Sequence, residues 1–373
     1  NGPEAPPVNK GNFGLWRFPL WYIIVPGSKG FSRIPTPQKA IWNPYPLTEV
    51  LGGGKPARRS TMDKATEQLY REREKRYIDA VQLRVPDRVP TSVHLSYFPA
   101  RFAGITYRDC YYDFAKWKEA YVRTALWLQP DRCEYFPTQS GRVMEAMDTK
   151  TSVWPGHGIG VNSSHQWVEG EYMKAEEYDL FLNDQSDFNI RCLLPRSYGF
   201  LAPLAKLPPL ESMQMMLPYH VLATPEFANM CEKIAAIARE AVDWQRQIVD
   251  MFATLNEVGF PGRTAMAGGI VPYDMISDFL RGMRGAMLDM YRCPDKLLAA
   301  IEKISQQTLK RIAAGPKATE FTPAFVALHR GADGFMSIRQ FEKFYWPYLM
   351  KLVKGLVDAG YTPEIFFEGD YTQ

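Results

Sequence analysis

Histidine is scarce in this chain, five residues in 373, so each one that the backbone could present to a ligand is a candidate acid, base or hydrogen-bond donor. The run Trp154-Pro155-Gly156-His157-Gly158 places a histidine on a glycine-flanked turn, where the backbone can approach a ligand closely. His157 there is a general acid or base, a donor to a substrate oxygen, or only an anchor for its loop. His329 follows an apolar run over 322–328 and precedes Arg330 and Gly331, the point at which a parallel strand hands over to its loop. His94 stands near the end of an earlier strand, with a core histidine bonded to a backbone carbonyl as the competing reading. His165 and His220 fall in an irregular stretch and have no distinguishing context. Met213, Met215 and Met216 line an apolar pocket or fill core, and Arg281 and Arg284, three apart on a helix, meet an anion or are solvated.

The elements that must hold these residues follow from periodicity. Residues 63–83 put Leu69, Tyr70, Tyr77, Ile78 and Val81 on one face, an amphipathic surface helix that Pro86 ends. Strands are expected at 89–95 and, after a helix around 113–128, at 132–136. Residues 137–223 are rich in Gly, Pro, Ser and Asp without a long periodic run, and read as an insertion over one end of the fold. Thr224-Pro225 starts a long helix with a capping residue and a proline at its first position, its apolar face running from Ile234 to Leu255 and Gly259 stopping it. Strand and helix then alternate: strand 264–271, helices 274–290 and 295–314, strand 322–328, helix 338–359, strand 364–368. That order implies α/β class and a parallel sheet flanked by helices. The GxGxxG loop and following acid of a dinucleotide fold are missing, which favours a (β/α) barrel.

Composition bounds the reading. Hydrophobic residues at 46% and charged residues at 23% are ordinary globular usage, and the length allows one large domain or two smaller ones. Net charge is +3 with the signs interspersed, so no nucleic-acid-binding surface is implied. Cys110, Cys133, Cys192, Cys231 and Cys293 are odd in number and form no CxxC pair, which argues against a disulfide framework and makes a reducing cytoplasm the default. The apolar stretch from Leu15 to Val25 is interrupted and about half of the ~20 residues a membrane span needs, and no signal-peptide start precedes it. Residues 1–60 hold ten prolines and eight aromatics. They read as an extended arm whose Trp16, Trp21, Trp42 and Tyr45 dock on the main domain or a neighbouring subunit of a homo-oligomer, or as a partly ordered extension. Gly52-Gly53-Gly54-Lys55 lacks the spacing of a phosphate loop and reads as a linker.

From about Thr61 onward the chain resembles the uroporphyrinogen decarboxylase superfamily. The residues that carry this are YIDAVQLRVPDRVP (Tyr77 to Pro90), FLRGMRGAMLDMYRCPDKL (Phe279 to Leu297) and GADGFMSIRQFEKFYWPYLMKLVKGLVDAGYTPEIFFEGD (Gly331 to Asp370). The resemblance implies a (β/α)8 TIM barrel over 61–373 with its active site at the C-terminal ends of the strands. Only five of the eight strands are placed, so the last three are expected to be missing from the chain given or supplied by another segment. Two chemistries occur in the superfamily: cofactor-free porphyrinogen decarboxylation, and zinc-dependent methyl transfer to or from a corrinoid protein. The decarboxylases carry an Arg-Gln-Ala-Gly-Arg loop where this chain has Ser96-Tyr97-Phe98-Pro99-Ala100-Arg101, and a catalytic tyrosine where it has Asp278. The thiol-activating methyltransferases end their ligand strand in His-x-Cys-Gly, matched here by Phe366-Phe367-Glu368-Gly369. With Glu368 and Asp370 as oxygen donors, the expected metal is Zn²⁺ polarising an ether oxygen. The expected activity is methyl transfer between a methoxylated aromatic and a corrinoid on a partner protein. In that reading Tyr97, Arg101 and Trp154 contact the substrate, and His157, His329 and Asp278 handle protons. The alternatives are porphyrinogen decarboxylation and a non-catalytic subunit of a larger assembly.

Overall fold

The structure is a computed structural model that describes residues 62–134, 139–213, 219–261, 267–315 and 322–372. The arm 1–60, the Gly52–Lys55 linker, Met215 and Met216 lie outside the described residues. The chain is mixed α/β. A first helix, α1 (Lys64–Val81), is capped by Asp63, whose carboxylate accepts the Thr66 N–H. Strand β1 (Ser92–His94), helix α2 (Phe114–Leu128) and strand β2 (Arg132–Glu134) follow, β1 and β2 pairing in parallel. The irregular stretch holds short helices and the small strands β3 (Ser152–Pro155), β4 (Gly158–Ile159) and β5 (Gln166–Trp167). Helix α3 (Pro225–Glu257) starts where Thr224-Pro225 indicates, the Thr224 hydroxyl accepting the Phe227 N–H. Then come β6 (Ala267–Gly268), α4 (Pro272–Phe279), α5 (Gly282–Arg292), α6 (Pro294–Ala314), β7 (Pro323–Leu328), α7 (Trp346–Asp358) and β8 (Thr362–Phe367).

Two expectations change. The most deeply buried side chains of α1 are charged, while Tyr70, Tyr77, Ile78 and Val81 of its apolar stripe are half-buried. Leu69 is exposed, while Arg73, Arg76 and Asp79 are buried. Arg76 meets the fully buried Asp131 at 2.5 Å and Asp87 at 2.6 Å, and Arg73 donates to the Gly259 carbonyl and lies over the Phe260 ring. These fixed partners outweigh the weak apolar stripe. The helix expected over 274–290 is two helices, because Gly282 takes φ +70° and the Arg281 N–H reaches back to the Ile276 carbonyl, a conformation open to glycine at little cost.

The five parallel strands fall where the periodicity places them, but in two sheets, β1-β2 and β6-β7-β8. Among the described residues they do not close into a barrel. Side chains link them: Glu364 of β8 accepts from Tyr77 of α1 at 2.8 Å and from Arg132 of β2 at 3.4 Å. Each sheet has its own core. One gathers Tyr97, Tyr111, Trp117, Trp154 and Trp244, and the other Tyr273, Ile301, Val326, Tyr345 and Leu352.

The second sheet decides what is available for chemistry. Ala324, Val326 and Leu328 of β7 are buried beside Leu349, Leu352, Val353 and Leu356, which recur at helical spacing along α7. The alternate residues face away from this core: Phe325 and Phe366, both exposed, stack with centroids 6.0 Å apart. Register pairs Leu328 with Phe367. One further step of the two-residue alternation puts His329 and Glu368 side by side on that same face, at the strands' C-terminal ends.

Candidate active site

Three of the residues singled out in the sequence meet here. His329 Nδ1 lies 2.5 Å from Asp278 Oδ2, and His329 Nε2 lies 3.6 Å from Glu368 Oε1. Asp278 comes from the last turn of α4. Its hydrogen bond to His329, and then that of Glu368, hold the imidazole protonated and raise its pKa to about 10 against the opposing effect of burial. Burial pushes Asp278 up, but the hydrogen bonds and charges of His329 and Arg330 outweigh this and its pKa is lowered. Arg330 Nε reaches Asp278 Oδ1 at 3.0 Å, and its Nη2 lies 3.9 Å from Glu169. The result is a row of alternating charge: Glu368, His329, Asp278, Arg330, Glu169.

Beneath the row sits Asp274, fully buried in the first turn of α4. Its two oxygens accept the consecutive backbone N–H groups of His329 (3.1 Å) and Arg330 (2.9 Å) and the Tyr345 hydroxyl (2.7 Å). Burial raises its pKa to about 6, opposed by those same hydrogen bonds. The loop that leaves β7 is thus pinned from below. Gly331 completes it, since a Cβ there would lie 2.6 Å from the Tyr345 ring.

Above the row runs the extended segment His165 to Glu169. Alternate residues share a face, and each of the three makes a different contact. His165 stacks with Tyr111 at 6.5 Å, Trp167 stands edge-on to Phe279 at 6.1 Å, and Glu169 accepts the Met283 N–H at 2.5 Å. The segment therefore bridges the two cores. Trp167 is 66% exposed.

The other expected site residues are elsewhere. Tyr97 is buried in the first core, its hydroxyl 2.8 Å from that of Tyr111 and its ring stacked on Tyr107. Trp154 is fully buried and donates to the Tyr112 hydroxyl at 3.0 Å. Neither offers a surface to a substrate, because both rings are packed inside the first core with their polar atoms bonded to tyrosines. His157 stacks on Trp154 at 4.1 Å and faces Glu145 at 3.5 Å on the protein surface. Arg101 is exposed on the short helix Phe98–Ala103. His94 and His220 are exposed and His165 half-buried. Arg281 is buried against Asp289 at 2.6 Å and serves the core rather than a ligand, while Arg284 is exposed. A cavity of about 820 Å³ lined by Leu309, Lys351, Lys354 and Gly360 lies at the other end of β7 and β8.

A catalytic zinc takes three protein ligands. His329 and Glu368 face each other as two donors and Asp278 orients the ring from behind, an arrangement metal-bound histidines use. Asp370 does not join them, and among the described residues no three His, Cys, Asp or Glu side chains are placed to hold a metal ion. Among the described residues, Glu368 and Asp370 are thus not brought together with a third ligand. Asp274, Tyr345, Trp167 and Glu169 were not singled out in the sequence. Only Asp274 carries a local signal, an acid in the first turn of a helix that follows a strand. No helix among the described residues is long and apolar enough to cross a membrane. No protein-family model and no curated protein matches the chain.

Proposed function

We propose that the chain is a (β/α)-barrel enzyme of the uroporphyrinogen decarboxylase superfamily that removes the methyl group of a methoxylated aromatic, with a corrinoid on a partner protein as acceptor. The barrel reading is supported by the exposed Phe325 and Phe366, which lie on the face of the sheet opposite α7, as side chains of a barrel interior do. The observation that carries the activity is His329, held as an imidazolium between Asp278 and Glu368 at the C-terminal end of β7, the end where parallel sheets keep their chemistry.

A reduced corrinoid on the partner protein would supply the electron pair that takes up the methyl carbon as the ether carbon–oxygen bond breaks. The bonding pair of the ether goes to the aryl oxygen, and His329 Nε2 gives that oxygen its proton. An aryloxide is about as basic as this imidazole, phenols titrating at ~10, so the proton passes between them at little cost in free energy. Asp278 keeps the ring oriented, and Asp274 fixes the backbone that carries it. Porphyrinogen decarboxylation is less well served, because a substrate with many carboxylates needs unpaired arginines and Arg330 and Arg281 each lie between carboxylates.

The test is anaerobic incubation of the purified chain with free cob(I)alamin and a methoxyarene, following the loss of Co(I) absorbance and the phenol released. Activity that falls by roughly 10²–10⁴-fold in His329→Ala supports the reading. No methyl transfer by the folded wild-type chain, or full activity in His329→Ala, overturns it.

A further inference from the structure

The charge at the mouth of this site is one-sided once its ion pairs are taken into account. His329 lies between Asp278 and Glu368, Arg330 between Asp278 and Glu169, and Arg281 between Asp289 and Glu171. Each cation of the row already has two carboxylates. The side chains of the outermost groups, Glu368, Glu169 and Glu171, are exposed at 49%, 44% and 56%. All three are acids. Two residues before Glu169, on the same face of its segment, stands the exposed Trp167 ring, braced edge-on by Phe279, the neighbour of Asp278.

We propose that this mouth binds an aromatic ring on Trp167 and selects against negative charge on that ring, with Glu169 and Glu368 as the selecting groups. The inference rests on the reading of the His329 row as the active site, and names the substrate class that the site accepts: methoxylated rings with neutral or cationic substituents, not carboxylated ones. A carboxylate on a ring that lies over Trp167 meets Glu169, and the cation beside Glu169, Arg330, is already held by Asp278. At about 6 Å, repulsion from one carboxylate weakens binding roughly threefold if water fills the gap and a hundredfold at the dielectric of a half-buried site. A cationic substituent gains by a similar factor, and stacking on an indole adds to it.

The experiment compares three probes of one shape by calorimetry on the full chain, without any corrinoid: 4-methoxybenzyl alcohol, 4-methoxybenzylamine as its ammonium form, and 4-methoxybenzoate. The alcohol should bind at least about tenfold tighter than the benzoate, and the amine at least as tightly as the alcohol. Glu169→Gln keeps an oxygen for the Met283 N–H and should narrow the gap between alcohol and benzoate at least threefold, with Glu368→Gln narrowing it further. Trp167→Ala should weaken all three about tenfold. Equal binding of alcohol and benzoate, a gap unchanged in both glutamine variants, or no binding of any probe at millimolar concentration overturns the inference. Because binding is read without methyl transfer, charge-selective binding in a chain that demethylates nothing would sink the proposed activity and leave this selectivity standing.

Discussion

Replacing Asp278 by Asn removes one of the two charges that hold the His329 proton while keeping an oxygen for its Nδ1–H. The remaining neighbour, Glu368, is half-exposed and 3.6 Å away. At that distance a unit charge in a watery setting shifts a pKa by about one unit. His329 should therefore titrate well below its wild-type value of about 10 in the variant. With five histidines in the chain, imidazole NMR of the histidine-labelled protein resolves this directly. Stability follows by linkage. The raised His329 pKa contributes stability that is fully present below the ordinary histidine value of 6.5 and is lost as pH rises through about 10. The lowered Asp278 pKa contributes stability present above the ordinary carboxylate value and lost as pH falls below it. The gap between wild type and Asp278→Asn is thus widest from about pH 4 to 6.5 and closes towards pH 10. The pair is neither surface nor core, so its loss should cost about 2 kcal/mol at pH 6, between the exposed and buried limits. Denaturant unfolding at pH 6 and pH 10 measures both ends. A His329 that still titrates near 10 in the variant, or a destabilisation equal at the two pH values, would refute the assignment of the clamp to Asp278.

Gly331→Ala should destabilise by about 1–3 kcal/mol in thermal unfolding, because its Cβ enters the Tyr345 ring at 2.6 Å and no flexible neighbour can yield. Tyr345→Phe removes one of three donors to the fully buried Asp274 and should cost about 1–2 kcal/mol in denaturant unfolding; an unchanged midpoint would mean that Asp274 does not depend on that hydroxyl. Arg76→Ala leaves the buried Asp131 with Arg88 and the Thr91 N–H and should cost about 3 kcal/mol. Asp87, lowered to about 2 mainly by its hydrogen bond to Arg76, gives stability present above its ordinary pKa and lost as pH falls through 2, so Arg76→Ala should also flatten the acid limb of a stability–pH profile.

What the sequence made legible here is what repeats locally. The apolar runs and their breaks located β7, β8 and α3, and a histidine at a strand end is visible as such. That is why His329 and Glu368 could be named before their register was known. Asp274 could not be weighed, because its role is to accept N–H groups from residues 55 and 56 positions away. The burial of Arg73 and Arg76 in α1 was not legible for a related reason. A stripe of Leu69, Tyr70, Ile78 and Val81 is a local pattern, whereas the partners that bury Arg73 and Arg76 come from Asp131, Gly259 and Phe260. Trp154 and Tyr97 were expected at a ligand because they are large and sit near glycines or a strand end. Both have their polar atoms satisfied by neighbouring tyrosines, which marks them as core.

The register of β7 against β8 connects these findings. A slip of one residue would move every alternate side chain to the other face, taking Phe325 into the α7 core and His329 away from Glu368. Ala324, Val326 and Leu328 guard against this slip through the area they bury against α7, so the same residues that stabilise the sheet also set the spacing of the site. Asp274 then limits the one segment the sheet does not control. It grips the two peptide N–H groups just beyond β7, so the loop cannot rotate His329 out of reach of Asp278 without leaving a buried carboxylate unsatisfied, at a cost of at least about 1–3 kcal/mol. Acid and base partners from α4 and from the ends of β7 and β8 are held in this way by packing below them as well as by their contacts with one another. The side of the row that faces solvent is left open to a substrate.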